Sequence, residues 1–329
     1  MEGSGVGEVA QEDIEPICIN LRNLLDLAVK RNLADCLLLS GGLDTSILAA
    51  VASRYTSLTG ITVAAGSVHE DLEYAKIVAS QYGIKHVVVT PTEDEILRVL
   101  PDVIRVVRSY DPMEINGSIA AYLGLIEAKQ RGFDAVMTGD GADELFAGYT
   151  FYYKLPRDEL EQALQRTWKV MSFSSRPLAA SLGINARLPY LDEQFMNMAM
   201  QIDSSLKVRE ERGIVWGKWI LRKAYEGILP SRLLWRSKLH IGAGSGVNEV
   251  LSEITSLITD EEYEAMKMKF FEDDGVVIRS REGLLYYRVF RQVVGVPRRM
   301  GEGEKTCPDC MTHLREGANY CRVCGAYPI

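Results

Sequence analysis

Apolar residues follow two alternating patterns along the first half of the chain. Short apolar runs that end at glycine or threonine indicate buried strands, and longer stretches with apolar residues three or four positions apart indicate amphipathic helices. Strands are predicted at 36–39, 61–66, 85–90 and 133–139, and helices at 14–30, from Asp44 onward, and at 69–83, 92–108 and 117–131. Because strands that alternate with helices of this length form βαβ units, the sequence predicts an α/β fold with a parallel sheet.

The pattern changes after Tyr149. Helical periodicity then dominates to about Arg291, and the stretch 296–305 combines proline, glycine and charge in the manner of a linker. We therefore predict an α/β core with its N-terminal helix at 1–150, a helical subdomain at 151–295, and a linker with a small C-terminal unit at 296–329.

Composition narrows the class of protein. Of the 329 residues, 47% are apolar and 25% are charged, which is typical of globular proteins. The net charge of −8 excludes a basic surface over the whole molecule, but it is uneven: −12 before Val276 and +4 from there on. Since no apolar run approaches ~18 residues and the N-terminus lacks a signal-peptide pattern, we expect a soluble, cytoplasmic protein with no membrane partner.

The loop after the first predicted strand carries the strongest polar signal. It consists of Ser40, Gly41, Gly42, Leu43, Asp44, Thr45 and Ser46. The glycines let the backbone approach an anion, and the following helix N-terminus offers free N–H groups and the positive end of its dipole. The hydroxyl groups add donors. A carboxylate at Asp44 would repel a phosphate unless Mg²⁺ lies between them, so the loop predicts a site for phosphate and Mg²⁺.

This loop lacks the G-x-x-x-x-G-K-[ST] and G-x-G-x-x-G patterns. It resembles instead the pyrophosphate (PP) loop, S-G-G-x-D-[ST]-S, of the ATP-pyrophosphatase superfamily, whose members split ATP into AMP and pyrophosphate while adenylating a substrate. Residues 138–149 (TGDGADELFAGY) are similar to the S-G-E-G-[SA]-D-E-x-F-x-G-Y motif of asparagine and β-lactam synthetases. Further matches follow in the same order at 186–192 (ARLPYLD) and at 229–238 (LPSRLLWRSK). Over about residues 34–250 the chain thus resembles the C-terminal synthetase domain of the asparagine synthetase family.

The resemblance implies an adenine-nucleotide alpha-hydrolase-like fold that uses ATP and Mg²⁺ to activate a small-molecule carboxylate. It assigns Asp44 and Asp143 to Mg²⁺, and it places Asp140 at the position of the catalytic glutamate, where a carboxylate accepts a proton from an attacking amine. Lys238 matches a lysine that neutralises charge on the α-phosphate and pyrophosphate. Ala65 matches a backbone contact to adenine, and Gly139 falls among the nucleotide-binding positions.

The chain also departs from the family. Residue 2 is Glu2, where glutamine-dependent members carry a catalytic cysteine, so we expect nitrogen to come from free ammonia, a separate glutaminase subunit or an amine. The family's aspartate-site segment, T-T-I-R-A-S, is replaced by 113–118 (MEINGS), and the loss of arginine at Asn116 removes a bidentate carboxylate clamp, which argues against aspartate as the acceptor. The glycine-rich loop after Lys238 is either a lid over the phosphates or a flexible linker.

Four of the six cysteines crowd the C-terminus. Their order is Cys307, Cys310, Cys321 and Cys324, two C-x-x-C knuckles ten residues apart, which suits tetrahedral Zn²⁺. The tail resembles a zinc ribbon, a unit too small to fold by apolar burial alone. Gly325 permits the backbone to fold over the metal, whereas Cys18 and Cys36 lie on apolar faces and are expected in the core.

Three functions follow from these patterns. The first is an AMP-forming amide ligase that adenylates a carboxylate for attack by ammonia or an amine. The second is a transfer-RNA-modifying enzyme that adenylates a base, with the ribbon docking the RNA. The third is a nucleotide-binding regulator without catalysis, against which Asp44, Asp143 and Lys238 argue. A homodimer is a possible assembly.

Overall fold

The protein is described by a computed structural model, which covers residues 11–67, 70–237, 241–297, 303 and 305–329. Five parallel strands form its central sheet, in the order β3-β2-β1-β4-β5. They are β1 (Cys36–Leu38), β2 (Thr59–Val63), β3 (Lys85–Val89), β4 (Ala135–Met137) and β5 (Asn185–Arg187). The predicted α/β class with a parallel sheet is therefore confirmed.

Helices cover both faces of the sheet. The first half of the chain supplies α1 (Gln11–Arg31), α2 (Leu43–Ala52), α3 (Glu70–Tyr82), α4 (Glu93–Val107), α5 (Pro112–Gln130) and the short α6 (Ala142–Leu145). One apolar cluster packs α1 and α2 against one face through Leu37, and the other packs α4 and α5 against the opposite face through Cys36. Adjacent residues of one strand thus serve two cores, because side chains alternate across a sheet.

The remainder of the chain is mainly helical. It contains two 3₁₀ turns (Thr150–Lys154 and Pro189–Leu191), the hairpin strands β6 (Val208–Glu211) and β7 (Ile214–Gly217), and the helices α7 (Arg157–Val170), α8 (Ser175–Ser181), α9 (Glu193–Gln201), α10 (Ser204–Lys207), α11 (Trp219–Ala224), α12 (Ser231–Leu234), α13 (Ile241–Gly244), α14 (Val247–Ser256), α15 (Asp260–Asp274) and α16 (Arg281–Val293). The strands β8 (Lys305–Thr306) and β9 (His313–Leu314) form a small terminal hairpin. None of the helices in the described ranges is both long and apolar enough to cross a membrane.

The sheet does not stop at the boundary predicted near residue 150. Strand β5 comes from the segment predicted as helical, and its Ala186 pairs with Val136 of β4. β1 and β4 are equally short but lie in apolar runs, whereas β5 consists of Asn185, Ala186 and Arg187, so no apolar run marks it in the sequence. The division of the chain into three units remains a prediction.

Strand order places the loops of β1 and β4 together. β1 lies between β2 and β4, so the chain crosses to opposite sides of β1 and leaves a crevice at the carboxyl ends of β1 and β4. In open α/β sheets, ligands bind at such a switch point. The PP loop follows β1 and residues 138–149 follow β4, so the topology brings the two strongest sequence motifs to one edge.

Helix α5 begins five residues earlier than predicted. Asp111 caps it by accepting a hydrogen bond from the Met113 N–H at 3.2 Å, and Pro112 occupies the first turn. Both are standard start signals. The early start puts Asn116 on a buried face, where it is 3% exposed and its Oδ1 accepts a hydrogen bond from the Tyr286 hydroxyl at 2.5 Å.

Replacing Tyr286 with phenylalanine should lower the free energy of unfolding by about 1–3 kcal/mol, because it leaves the buried Asn116 Oδ1 without this donor. Urea denaturation measures the change. Tyr327→Phe is the matched control, since Tyr327 is 69% exposed and should be neutral. Equal stability of the two variants would contradict this role for the bond.

Candidate active site

The PP loop turns tightly between β1 and α2. The Ser40 hydroxyl accepts a hydrogen bond from the Gly42 N–H and lies 3.2 Å from the Thr45 hydroxyl. Gly41 has a φ of +69°, and a Cβ at this position would overlap the backbone of Tyr74 and Ala75 on α3. Glycine is therefore required at 41 both by the turn and by the close approach of α3.

The N-terminus of α2 has features that suit an anion. Its N-cap, Gly42, offers no side chain to the first N–H groups of the helix. Within the described part of the chain, the buried Ser46 hydroxyl has no hydrogen-bond partner. A helix N-terminus without a side-chain cap and an orphaned hydroxyl suit the phosphate oxygens that the motif predicts.

Two carboxylates from different loops converge on one buried lysine. Asp44 lies in the first turn of α2, Asp143 lies in α6, and Lys218 lies between β7 and α11. The Lys218 Nζ is 2.6 and 2.8 Å from the two Asp44 oxygens and 2.7 Å from Asp143 Oδ1. The predicted magnesium ligands thus face each other across a cation. Two facing carboxylates are a donor set that would suit Mg²⁺.

Burial and charge act in opposite directions on Lys218. Its side chain is 6% exposed, and burial disfavours the ammonium, but Asp143 and Asp44 outweigh burial and raise the pKa of Lys218 above its usual value. The group is therefore charged at neutral pH. Lys218 was not among the site residues predicted from the sequence. No local pattern marks it, although its position at a junction between a strand and a helix is a weak signal.

The neighbouring backbone leaves room for this triad. A Cβ at Gly148 would overlap both Asp143 Oδ1 and the Lys218 Cε, so the motif needs glycine there. A Cβ at Gly139 would lie 3.2 Å from the Asp44 Cβ, which shows how closely the β4 loop packs on the PP loop. Tyr190, from the ARLPYLD segment, donates a hydrogen bond to the Asp44 carbonyl at 3.0 Å. That segment therefore supports the PP loop directly.

Asp140 lies beside this triad in a polar niche of its own. Its Oδ2 accepts hydrogen bonds from the Thr138 hydroxyl at 2.9 Å and from the Ser175 hydroxyl. Burial raises the pKa of Asp140, while these two donors act in the opposite direction. A carboxylate with a raised pKa is suited to accept a proton from an amine. The shorter aspartate is thus held by two hydroxyl groups where the family motif has glutamate.

Glu144 is hydrogen-bonded to two aromatic side chains of the protein. Its carboxylate accepts a hydrogen bond from the Tyr149 hydroxyl at 2.5 Å, and its carbonyl accepts one from the Trp168 indole at 2.9 Å. Burial, followed by the charge of Asp143, raises the pKa of Glu144 to about 7. Of the acids in the TGDGADELFAGY motif, Asp143 contacts Lys218, Asp140 accepts from Thr138 and Ser175, and Glu144 accepts from Tyr149.

The predicted adenine contact is engaged by the protein itself. Ala65 is 1% exposed and its N–H donates to the Ser245 carbonyl at 2.7 Å. Nearby, Ser67 donates to Glu249 through both its N–H and its hydroxyl, at 3.1 and 2.7 Å. The segment that follows Lys238 therefore lies over the end of β2. Lys238 itself lies outside the described residues.

In the segment 113–118, which is matched to the family's aspartate site, Asn116 forms no carboxylate clamp and lines no open pocket. Asn116 is buried and bonded to Tyr286, whereas Met113 is 66% exposed. Glu114, which takes the place of the second threonine, accepts a hydrogen bond from the Ser118 hydroxyl at 3.3 Å. Burial is the main reason that the pKa of Glu114 is raised.

The four tail cysteines form one cluster. The ligand atoms of Cys307, Cys310, Cys321 and Cys324 all lie within 4.8 Å of one another. Gly325 has a φ of +81°, and its N–H donates to the Cys321 carbonyl at 2.8 Å, which closes the second knuckle. The Tyr110 hydroxyl is buried beside the cluster and has no hydrogen-bond partner among the described residues. Four thiols at metal-ligand spacing with a buried hydroxyl nearby fit a Zn²⁺ site.

The two other cysteines are unsuited to bind metal. Burial raises the pKa of Cys18 to about 11 and that of Cys36 to about 12, so both are thiols in the apolar core, as predicted.

Comparison with known proteins identifies the family. The family model described as asparagine synthase matches residues 20–181 and 176–307. The chain belongs to the asparagine synthetase family. This confirms the resemblance inferred from the motifs.

Several curated relatives carry the family name. Asparagine synthetase B [glutamine-hydrolyzing] of Escherichia coli (strain K12) is 28% identical over 305 residues, 84% of this chain and 54% of that protein. Asparagine synthetase [glutamine-hydrolyzing] of Triphysaria versicolor is 33% identical over 69% of this chain and 42% of that protein. A probable asparagine synthetase [glutamine-hydrolyzing] of Dictyostelium discoideum is 31% identical over 78% and 51%, respectively. The chain spans about half the length of the curated relatives it matches.

Among solved structures, an NH3-dependent NAD synthetase from Campylobacter jejuni is 17% identical, with a TM-score of 0.29 and coverage of 60% of this chain and 98% of that one.

Replacing Lys218 with methionine should destabilise the protein by about 3–5 kcal/mol at neutral pH, because two carboxylates then share a buried site without their cation. Their repulsion raises a pKa in the folded variant above the unfolded value of about 4, so the folded state binds the extra proton. The deficit should therefore shrink as the pH falls from about 7 to about 4.

Urea denaturation at both pH values, with and without Mg²⁺, measures these effects. Mg²⁺ should stabilise Lys218→Met more than the natural protein, since the metal replaces the missing charge. Lys76→Met, which removes the exposed pair with Glu73, is the control and should change stability by less than about 1 kcal/mol. A deficit that does not depend on pH would argue against the facing carboxylates.

The cysteine cluster predicts one tightly bound Zn²⁺ per chain. Cys324→Ser should lose the metal and lower the melting temperature, whereas Cys18→Ser should keep it, because only the former is a ligand. Metal analysis of the purified variants measures the ratio of zinc to protein. Equal zinc contents in the two variants would contradict the assignment.

Proposed function

We propose that the protein is an AMP-forming amide ligase that adenylates a small-molecule carboxylate and transfers the acyl group to ammonia or an amine, releasing pyrophosphate. The observation that carries the proposal is that Asp44 of the PP loop and Asp143 both contact Lys218. Membership of the asparagine synthetase family supports the same class of reaction.

The geometry supports a division of roles along the crevice. The N–H groups of α2 and the hydroxyl groups of Thr45 and Ser46 would bind the pyrophosphate part of ATP. Asp44 and Asp143 would hold Mg²⁺, which neutralises the phosphate oxygens when it is bound. Lys218, already charged and fixed between the two carboxylates, would shift its ammonium towards the leaving pyrophosphate.

Asp140 would serve the second half of the reaction. Its carboxylate accepts hydrogen bonds from Thr138 and Ser175 and has a raised pKa, so it can take the proton that an amine loses on attacking the acyl-adenylate carbon. The assignment of Lys238 to charge neutralisation on the phosphates stays a prediction.

The acceptor substrate is proposed to differ from aspartate, because the residues at 113–118 form no clamp for it. Asn116 is turned into the core, and the neighbouring Glu114 adds a carboxylate where the family segment has threonine. The nitrogen source is proposed to be ammonia, a separate glutaminase or an amine substrate. Transfer-RNA binding and a homodimer receive no support from the comparisons and remain predictions.

Two substitutions should separate the two halves of the reaction. Asp44→Asn should abolish both ATP–pyrophosphate exchange and amide formation, because Mg²⁺ and pyrophosphate lose a ligand. Asp140→Asn should keep the exchange but reduce amide formation by about 10²–10⁴-fold, the usual contribution of a general base. Isotopic exchange and product analysis across a panel of carboxylic acids measure the two steps.

Asp134→Asn is the matched control, since Asp134 is exposed at the start of β4 and should leave both steps unchanged. Normal pyrophosphate release by Asp44→Asn would overturn the proposed function. Silence of the natural protein with every acid, alongside tight ATP binding, would favour the regulator hypothesis.

A further inference from the structure

The second cysteine knuckle is built into the body of the protein. The Val323 carbonyl accepts hydrogen bonds from the Tyr110 N–H at 2.7 Å and from the Ser109 hydroxyl at 3.2 Å. A Cβ at Gly325 would lie 2.5 Å from Asp111 Oδ1, so only glycine permits this approach. The knuckle therefore lies directly on the corner between α4 and α5.

One contact fixes the start of α5. The Tyr320 hydroxyl donates to Asp111 Oδ2, while Asp111 Oδ1 accepts the Met113 N–H as the cap of the helix. Both oxygens of one buried carboxylate are thus engaged, one by the tail and one by α5. The first turn of this helix carries Glu114, which belongs to the segment matched to the family's aspartate site.

A second contact fixes the other side of the same niche. The Arg322 guanidinium donates to the Ser172 hydroxyl and to the Val170 carbonyl, at the end of α7. Three residues after Ser172, the Ser175 hydroxyl donates to Asp140. The short connection from α7 to α8 therefore joins the tail to the proposed proton acceptor.

The two residues that make these contacts, Tyr320 and Arg322, flank Cys321 of the cysteine cluster. Tyr110, whose hydroxyl is buried beside Cys310 and Cys324, packs edge-on against Tyr287 and Phe290, with ring centroids 5.0 and 5.2 Å away. The segment 109–111 thus contacts the cluster and the cap of α5 together. A ribbon of this size depends on its metal to hold a shape, so the metal sets where Tyr320 and Arg322 lie.

We propose that the second knuckle is a wall of the acceptor site, in which Tyr320 positions the first turn of α5 and Arg322 positions Asp140 through residues 170–175. This assignment rests on the proposed function, because the acceptor site is the one served by Asp140. The knuckle is a positioning element and neither residue is placed in contact with the reacting atoms. Its two polar side chains lie at the surface but donate hydrogen bonds to other segments of the protein, which favours this role over that of an independent RNA-binding module.

Hydrogen–deuterium exchange on the full-length, zinc-loaded protein tests the wall without any substrate. Arg322→Met should speed exchange at residues 167–176 by about three- to tenfold, the change expected when a segment loses one or two hydrogen bonds. Tyr320→Phe should instead speed exchange at residues 109–116. Arg315→Met, a change at an exposed arginine of the same ribbon, is the control and should alter neither segment. All variants should keep one Zn²⁺ per chain.

The pattern of these effects decides the proposal. Natural exchange rates at both segments in Arg322→Met and Tyr320→Phe would make the ribbon a separate module and overturn it. A uniform rise across the whole chain would also overturn it, since that outcome reports general destabilisation.

A catalytic readout separates this inference from the proposed function. If the natural protein forms an amide, Arg322→Met should lower kcat about tenfold with an unchanged KM for ATP, and Arg322→Lys should restore part of the loss. Unchanged kcat would reject the wall while leaving the ligase intact. If the natural protein shows no turnover with any acid, the proposed function fails, and the exchange experiment still decides whether the wall exists.

Discussion

The site depends on one buried cation held by two carboxylates that come from distant parts of the chain. Burying the Lys218 ammonium away from water costs desolvation free energy. The interactions with Asp44 and Asp143, both within 2.8 Å of its Nζ, offset this cost. The two aspartates must then lie on neighbouring loops, which requires β1 and β4 to be adjacent in the sheet. The strand order, the PP loop and the glycines at 139 and 148 all serve this single arrangement.

Much of this fold could be predicted from residue patterns because its signals are local. The first strands are short apolar runs, and α4 keeps its buried residues Ile96, Leu100, Val103 and Ile104 on one face, so these elements follow from local apolar patterns. The early start of α5 at Asp111-Pro112 is also a local signal, and weighing the cap would have found it. Strand β5 is different, since its sequence Asn-Ala-Arg contains no apolar run and only pairing with β4 makes it a strand.

The candidate site divides in the same way. The PP loop and the TGDGADELFAGY motif are contiguous strings, so their residues could be selected from the sequence alone. Lys218 is 174 positions from Asp44, and nothing in its own neighbourhood distinguishes it from other lysines. Arg322 and Tyr320 contact residues 150 and 209 positions away. Such partners are decided by tertiary packing, which is why the cysteine spacing predicted a ribbon but not where it lies.

The residues after β2 are hydrogen-bonded to the segment that follows Lys238. The Ala65 N–H, matched to the family's adenine contact, already donates to the Ser245 carbonyl. A buried N–H group makes one hydrogen bond, so an adenine that takes this donor has to replace Ser245 as its acceptor. Displacement of Ser245 would also strain the bonds between Glu249 and Ser67, because α14 begins two residues later. If adenine takes this donor, its binding would be coupled to the path of residues 241–249, whether that segment acts as a lid or as a linker.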